Sequence, residues 1–326
     1  MNTCLENKMK NLLMLLTLLG GTMSTSVLAT PQAITQQQSP GYYRMMLGDW
    51  QITAVSDGTV VVPLDKLLTH ITPQKLRQRM AEDAMTPAAE TSINAFVINT
   101  GRELILVDTG AGALFGSAGG HLLENLRAAG IAPEDISLVL LTHIHADHSG
   151  GVEYHGKPAF PNATVRVEQK DVDFWLNPAH LSDVEPDQRH TFAESERSLR
   201  PVIDAGKLTT FHAPTEILPG IEAIPAAGHT PGSVIYRVSR SGQNMLMWGD
   251  IIHAKAVQMP DPEVAIHFDV NQQQAVATRE KVLKLAAQEG DWVAAAHIAF
   301  PGIGHVKQEG KAWRWVPVNY SSQAGK

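Results

Sequence analysis

Four short apolar runs in this 326-residue chain each end at a residue that can bind a metal ion. Each run reads as a buried β-strand, and the carboxyl ends of such strands are where α/β sheets build their sites. The runs and the residues that follow them are 104–107 before Asp108, 138–141 before Thr142 and His143, 245–248 before Gly249 and Asp250, and 293–296 before His297. The pattern predicts one α/β site to which several strands contribute.

Helical patterns elsewhere in the sequence predict which segments cover these strands. Helical periodicity at 119–129 and 272–288 places helices on the outer faces of the sheets. An Asp-ending and a His-ending strand occur once in each half, which indicates two similar halves that face each other. We therefore expect a four-layer αβ/βα sandwich in a single domain, 41–326. The polar segment 170–207 is expected to be irregular, forming either a lid or pocket wall or a simple surface insertion.

The first residues have the pattern of a secretory signal peptide. Two lysines precede the apolar run 12–19, and small residues lead to Ala29, which predicts cleavage after residue 29. A run this short cannot cross a bilayer core of about 30 Å, so we expect no stable membrane anchor. The expectation is a signal peptide at 1–29, a flexible leader at 30–40, and a periplasmic or secreted protein.

Cysteine content and charge narrow the chemistry further. The one cysteine, Cys4, falls within the predicted signal peptide, so histidine and carboxylate side chains must supply any metal ligands or catalytic groups. The formal net charge of −7 argues against nucleic acid as a partner, because phosphate backbones are held mainly by basic groups.

The segment 142–151 holds four ligand-type side chains within six positions, directly after a predicted strand. In an extended stretch His143 and His145 project to the same side. The turn that follows can bring Asp147 and His148 toward a second position about 3.5–4 Å away, the spacing of catalytic metal pairs. Neutral imidazoles bind zinc-like ions, and solvated loop histidines rarely crowd together this densely, so the segment predicts a metal site.

Three further residues complete the candidate ligand set. His229 lies in Gly-His-Thr-Pro-Gly, a turn whose glycines allow close backbone approach. Asp250 follows a predicted strand, and its two carboxylate oxygens could bridge two cations, although an N-cap is the ordinary role of such an Asp. His297 follows three alanines; alone it would read as a core histidine, but with the other ligands it is a candidate for the second metal.

Together these motifs resemble the metallo-β-lactamase superfamily. The His-x-His-x-Asp-His run, Gly-His-Thr-Pro-Gly, Gly-Asp, the late histidine and Asp108-Thr109-Gly110 occur in the order of that superfamily. The segments 113–116, 295–305 and 316–320 are similar to those of its methyl parathion hydrolase and lactonase branch. The resemblance covers nearly the whole predicted mature chain.

The resemblance implies two divalent metal ions, with zinc favoured by the ligand types, and a hydroxide that bridges them. It also suggests a homodimer, and it gives Asp108 the role of orienting the metal-binding loops. The implied ligands are His143, His145 and His229 for the first metal, Asp147, His148 and His297 for the second, and Asp250 between them.

The resemblance also implies a pocket. Phe115, Trp175 and Phe192 match positions at which the branch lines its pocket with aromatic rings, and Ile266 and Phe268 would reach the same pocket; all five could equally be core residues. His253 stands three residues after the bridging Asp, where many lactonases of the superfamily have Tyr and methyl parathion hydrolases have an apolar residue. With Asp147 and Asp250 it is a candidate catalytic residue.

The expected function is the opening of lactones or aryl esters, with phosphotriester hydrolysis as the alternative. An alkoxide that leaves from a lactone needs a proton, which His253 could help to supply, whereas a nitrophenolate leaves unaided. Less favoured alternatives are a β-lactamase, which usually has Cys or Ser at the position of Asp250, a glyoxalase-II-like thioesterase, and a non-catalytic metal carrier that kept the site.

Overall fold

The structure, a computed structural model, describes residues 34–36 and 38–324. The chain forms one compact unit from Ser39 onward. The predicted signal peptide, 1–29, lies outside the described residues, and so does part of the leader. Within the described residues, no helix is long and apolar enough to cross a membrane.

Two seven-stranded sheets form the centre of the fold. The first has the strand order β1-β2-β4-β5-β6-β9-β10, and the second has the order β11-β12-β13-β14-β16-β17-β18. The strands of the first are β1 Tyr42–Leu47, β2 Trp50–Pro63, β4 Ala88–Asn99, β5 Leu104–Val107, β6 Ile136–Leu140, β9 Thr164–Glu168 and β10 Leu208–Phe211. Those of the second are β11 Thr215–Leu218, β12 Ile221–Pro225, β13 Val234–Arg240, β14 Gln243–Met247, β16 Trp292–Ala294, β17 Ile303–Glu309 and β18 Ala312–Pro317.

Shorter elements connect these strands. Two small sheets pair β3 with β15 and β7 with β8. Their strands are β3 Leu68–Thr69, β7 Glu153–Tyr154, β8 Lys157–Pro158 and β15 Ala265–Ile266. The α-helices are α1 Leu64–Leu67, α2 Pro73–Glu82, α3 Leu122–Ala128, α4 Ala146–Ser149, α5 Gln169–Trp175, α6 His190–Asp204, α7 Lys255–Gln258 and α8 Gln272–Glu289.

The core is divided into layers because successive side chains of a strand point to opposite faces of its sheet. In β5, Ile105 and Val107 pack in a cluster that also contains Val238 and Met247 of the second sheet. Leu106, between them, packs instead with the cluster that contains helix α3. The outer face of the second sheet is covered in the same way by α8. The predicted four-layer αβ/βα sandwich is therefore confirmed.

The four apolar runs form strands, as predicted. β5 runs parallel to β6, and β14 runs parallel to β16. Since the members of each parallel pair end at the same edge of their sheet, Asp108 lies beside the start of the 142–148 segment, and Asp250 lies beside the segment that leads to His297.

Both predicted helices are present. Helix α3 begins three residues after the predicted start at 119. Helix α8 begins one residue after Asn271, whose side chain accepts a hydrogen bond from the backbone N–H of Gln274 at 3.0 Å, and it ends at Gly290, which adopts the left-handed conformation.

The segment 170–207 is more regular than expected, which is a correction. It contains most of α5 and the 15-residue helix α6. Phe192, Leu199 and Val202 recur at helical spacing on one face of α6 and are buried in the core. The many polar residues of α6 occupy the other faces, which is why the sequence looked irregular. The segment is thus a packed part of the domain and not a simple surface insertion, and several of its residues line a cavity, as the expected pocket wall would.

The layering predicts a measurable difference between two leucines of α8. Leu283 is fully buried against the second sheet, whereas Leu285 is only partly buried. Replacing Leu283 by Ala should lower the free energy of unfolding by about 2–5 kcal/mol, because it removes buried methyl groups and leaves a cavity. Leu285→Ala, the matched control, should cost less than half as much in urea titrations. Equal losses would contradict the assignment of the inner face of α8.

Candidate metal centre

The segments that directly follow β6, β12, β14 and β16 place the candidate ligands. His145 is in extended conformation directly before the short helix α4. The extended stretch carries His143 and His145, and the turn of helix that follows redirects Asp147 and His148 toward a second position. This is the arrangement that the spacing predicted.

The seven predicted ligands converge in two groups. Each residue of a group offers one possible ligand atom, and within a group these atoms all lie within 4.8 Å of one another. The first group is His143, His145, His229 and Asp250, and the second is Asp147, His148 and His297. Asp250 also forms a third group with His253 and His297.

Asp250 lies between the two groups, with one oxygen toward each. Its Oδ2 is 3.1 Å from Nε2 of His229 and 3.6 Å from Nε2 of His143. Its Oδ1 is 2.9 Å from Nε2 of His148 and 3.1 Å from Nε2 of His297. A carboxylate oriented in this way can bridge two cations.

The unpaired atoms of the site fit a pair of cations. His143 Nε2, His148 Nε2 and Asp250 Oδ1 are buried and make no hydrogen bond among the described residues, although His148 Nε2 and Asp250 Oδ1 face each other at 2.9 Å. Buried polar atoms almost always have a partner, so several such atoms facing one another without hydrogen bonds indicate a site suited to a cation. A donor set of imidazole nitrogen and carboxylate oxygen suits zinc and similar divalent ions.

The electrostatics of the site point the same way. Burial lowers the pKa of His143 and His145 well below the ordinary value, which keeps these rings neutral and able to bind a cation. Burial raises the pKa of Asp250, but the surrounding histidines, His148 first, outweigh it and hold the pKa well below its ordinary value. At the three other ligand histidines burial also lowers the pKa, but nearby carboxylates, Asp250 among them, outweigh it and raise the pKa: His148, His229 and His297. A metal requires the ionised carboxylate and neutral imidazoles, so these three rings would release a proton when a cation binds.

Asp108 orients the second group. One of its carboxylate oxygens lies 2.9 Å from Nδ1 of His148, and the other accepts a hydrogen bond from the backbone N–H of Thr142 at 2.8 Å. Nδ1 of His148 is thereby occupied, and Nε2 points to the metal position. The structure thus places Asp108 where the resemblance implied.

Two further carboxylates support the ligands and were missed in the sequence analysis. Asp269 Oδ1 lies 2.9 Å from Nδ1 of His229. Asp171 accepts hydrogen bonds from the backbone N–H groups of Ile144 and Gly232, at 2.8 and 2.7 Å, and so ties two ligand loops together. The second ring nitrogen of a metal-bound imidazole usually donates a hydrogen bond to a carboxylate such as that of Asp269, but no sequence motif marks which distant residue supplies it.

A cavity of about 320 Å³ opens beside the ligands. Phe115, Trp175, Ile266 and Phe268, four of the five predicted pocket residues, line it. Phe192 does not, which is a correction: its ring packs 5.0 Å from that of Trp175, in the core behind the pocket wall. The apolar wall contributed by β2 and α1, which includes Val60, Val62 and Leu64, was not foreseen.

His253 lies at the junction of the cavity and the ligands. Its Nε2 is 3.0 Å from Oδ2 of Asp250, while its Nδ1 is buried without a hydrogen-bond partner among the described residues. Burial lowers the pKa of His253 below its ordinary value, so the ring is neutral near pH 7. The structure thus places His253 at the ligands, as its position in the sequence suggested.

The matching family model identifies the class of protein. The model of the metallo-beta-lactamase superfamily matches residues 88–297. That range covers more than half of the chain and all seven candidate ligands. The chain therefore belongs to the metallo-beta-lactamase superfamily, and the resemblance stated from its motifs is confirmed.

Two solved structures within this superfamily are similar to the chain over most of its length. A crystal structure of the hydrolase AbOPH, of the beta lactamase superfamily, has a TM-score of 0.84 at 35% identity and covers 88% of this chain and 100% of that one. AidC, a dizinc quorum-quenching lactonase in complex with a product N-hexanoyl-L-homoserine, has a TM-score of 0.76 at 25% identity and covers 86% and 99%.

Among curated proteins, the N-acyl homoserine lactonase AiiB of Agrobacterium fabrum is 27% identical over 180 residues. The match covers 44% of this chain and 61% of AiiB. The chain thus spans less than two thirds of the length of that relative.

The two-group geometry predicts the effect of removing one ligand. His297→Ala should abolish binding of one of two zinc ions, with an affinity loss above the roughly 10–100-fold typical of residues outside the ligand set. The matched control is His212→Ala, since that side chain is 77% exposed and belongs to neither ligand group. Zinc content after dialysis and competition with a chromogenic chelator measure the effect. Two tightly held zinc ions in His297→Ala would refute the assignment.

Proposed function

We propose that this protein is a metal-dependent hydrolase that opens lactones or aryl esters, neutral acyl-homoserine lactones included. The observation that carries the proposal is Asp250, with one oxygen toward each ligand group, at the base of a mostly apolar cavity. The lactonases AidC and AiiB, to which the chain is similar, support this substrate class.

The ligands that would hold the metals are the two groups described above. Two divalent ions, when bound, would lower the pKa of water toward neutrality and polarise the carbonyl group of a substrate. The chain's own contribution is to fix the positions of the ligands and to keep bulk water out. Trp175 and Ile266 are almost fully buried in the wall beside the ligands, so an acyl or aryl group placed there would displace water from the site.

The charge of the cavity favours neutral substrates. Its lining contains no Lys or Arg within the described part of the chain, and beyond the ligands it presents the carboxylates of Asp187 and Glu194. A carboxylate on a substrate is usually held by an Arg or Lys side chain. The cavity therefore argues against β-lactams and glutathione thioesters, both of which carry carboxylates, and is compatible with uncharged lactones and esters.

We propose that His253 acts on the leaving group. A neutral imidazole beside Asp250 can hold a proton on Nε2, because a carboxylate oxygen only accepts. Opening a lactone produces an alkoxide that needs a proton, whereas a nitrophenolate departs without one. We infer that His253 assists lactone opening and adds little to phosphotriester hydrolysis, which remains the second candidate because phosphotriesters are also uncharged.

A substrate panel tests the proposal. Dihydrocoumarin and an acyl-homoserine lactone should be hydrolysed with higher kcat/KM than paraoxon, and a chromogenic β-lactam should not be turned over. A chelator should abolish the activity, and added zinc should restore it. Faster hydrolysis of paraoxon than of any lactone would favour the phosphotriesterase, while activity that survives complete metal removal would refute the proposed chemistry.

The role of His253 predicts a selective defect. His253→Leu should lower lactone kcat by about 10²-fold, the lower range for general acid–base catalysis, but change paraoxon or nitrophenyl ester hydrolysis by only a few-fold. His267→Leu is the matched control, since His267 lines the same cavity without contacting Asp250. Zinc content must be measured in both variants. Lactone turnover at the parental rate in His253→Leu would eliminate the proposed role.

A further inference from the structure

Helix α8 carries an arginine that is almost completely buried. Arg279 is 1% exposed, and the nearest carboxylate oxygen, Oδ2 of Asp269, is 3.8 Å from its Nη2. A buried guanidinium without a close salt bridge is costly unless other acceptors satisfy its N–H groups. The contacts of Arg279 therefore need an explanation.

Three backbone carbonyls supply those acceptors. Nε of Arg279 donates to the carbonyl of Ile251 at 2.8 Å, and Nη1 donates to those of Pro262 and Val264 at 2.9 and 2.7 Å. Ile251 directly follows Asp250. Val264 leads into the short strand β15, whose Ile266 lines the cavity. One side chain thus fixes the segment that carries the bridging carboxylate and the segment that forms a pocket wall.

Asp269 extends this arrangement to a second ligand. Its Oδ1 faces Nδ1 of His229 at 2.9 Å, and its Oδ2 accepts from the backbone N–H of Ile266 at 3.2 Å. The carboxylate is fully buried, and Arg279 is the nearby permanent cation. An ionised Asp269 can accept the proton on Nδ1 of His229 and so leave Nε2 free for a metal.

The loop of His229 is also packed directly on α8. Gly228 adopts φ +135°, and a Cβ there would lie 2.3 Å from the backbone nitrogen of Ala275, one turn before Arg279. The backbone N–H of Asn271, at the start of α8, donates to the carbonyl of Gly228 at 2.9 Å. Little free space therefore separates the helix from this ligand loop, so a change at Arg279 can be transmitted to His229.

We propose that Arg279 is a positioning residue for the metal centre, which sets His229 through Asp269 and sets Asp250 through the carbonyl of Ile251. Its charge balances the carboxylate of Asp269, and its planar guanidinium directs N–H groups from two nitrogens to three carbonyls, a geometry that the compact ammonium of Lys does not share. The inference relies on the metal centre of the proposed function, but not on any particular substrate.

The experiment compares Arg279→Met, Arg279→Lys and a control, Arg79→Met, without substrate. Arg79 donates a hydrogen bond to Asp261, directly before Pro262, from the solvent side. Its replacement therefore removes an anchor of the same backbone segment without removing the contacts of Arg279. Zinc affinities come from chelator competition, the d–d spectrum of the cobalt-substituted protein reports ligand geometry, and urea titration of the metal-free protein reports stability.

Arg279→Met should bind its first metal about 10–100-fold more weakly than the parent protein, the loss typical of residues that orient ligands, and should change the cobalt spectrum. Arg279→Lys keeps the charge but not the planar guanidinium, so its metal affinity should lie between those of the parent protein and Arg279→Met. It replaces Arg279→Met in the test if that variant does not fold. Arg79→Met should keep the parental affinity and spectrum.

Parental metal affinity and cobalt spectrum in Arg279→Lys or Arg279→Met, with or without a loss of stability, would overturn the proposal. The proposal would also be overturned if Arg79→Met lost as much metal affinity as Arg279→Met. None of these measurements requires catalytic turnover. A protein that hydrolyses no substrate of the panel would therefore refute the proposed function, but the role of Arg279 could still be tested.

Discussion

The burial of one carboxylate, that of Asp250, is the constraint on which the rest of the site depends. Its side chain is 4% exposed, and imidazole nitrogens face both of its oxygens. A buried carboxylate is stable only with positive charge or strong hydrogen-bond donors beside it. His148, His229 and His297 can supply part of that charge, since nearby carboxylates outweigh burial and raise their pKa, whereas burial keeps His143 and His145 neutral by lowering theirs. Two divalent cations satisfy the carboxylate and the orphaned nitrogens together.

The fold supplies this arrangement through the ends of parallel strands. β5 and β6 in one sheet, and β14 and β16 in the other, each deliver a carboxylate and a histidine segment to one edge. Around the ligands lies a layer of buried groups that fixes their orientation. Asp108 holds His148, and Asp269 holds His229. Each half of the chain thus supplies its own supporting carboxylate, but the first ligand group combines histidines from both halves with Asp250, which is why the site requires the whole sandwich.

The sequence was sufficient for the features whose signals are local. The run from His143 to His148, and the strands that end at metal-capable residues, predicted the architecture and a metal site. Features that depend on distant contacts were not accessible. Asp269 lies 40 positions from His229 along the chain, and nothing in its neighbourhood marks it as a partner. Phe192 was assigned to the pocket by resemblance, although helix α6 turns its ring into the core behind Trp175.

Anomalous X-ray diffraction from crystals of the zinc-loaded protein, recorded on both sides of the zinc absorption edge, tests the central claim most directly. We expect two anomalous peaks about 3.5–4 Å apart, the separation of catalytic metal pairs, with one oxygen of Asp250 bound to each. A single peak, or two peaks that do not share Asp250, would contradict the role given to this carboxylate.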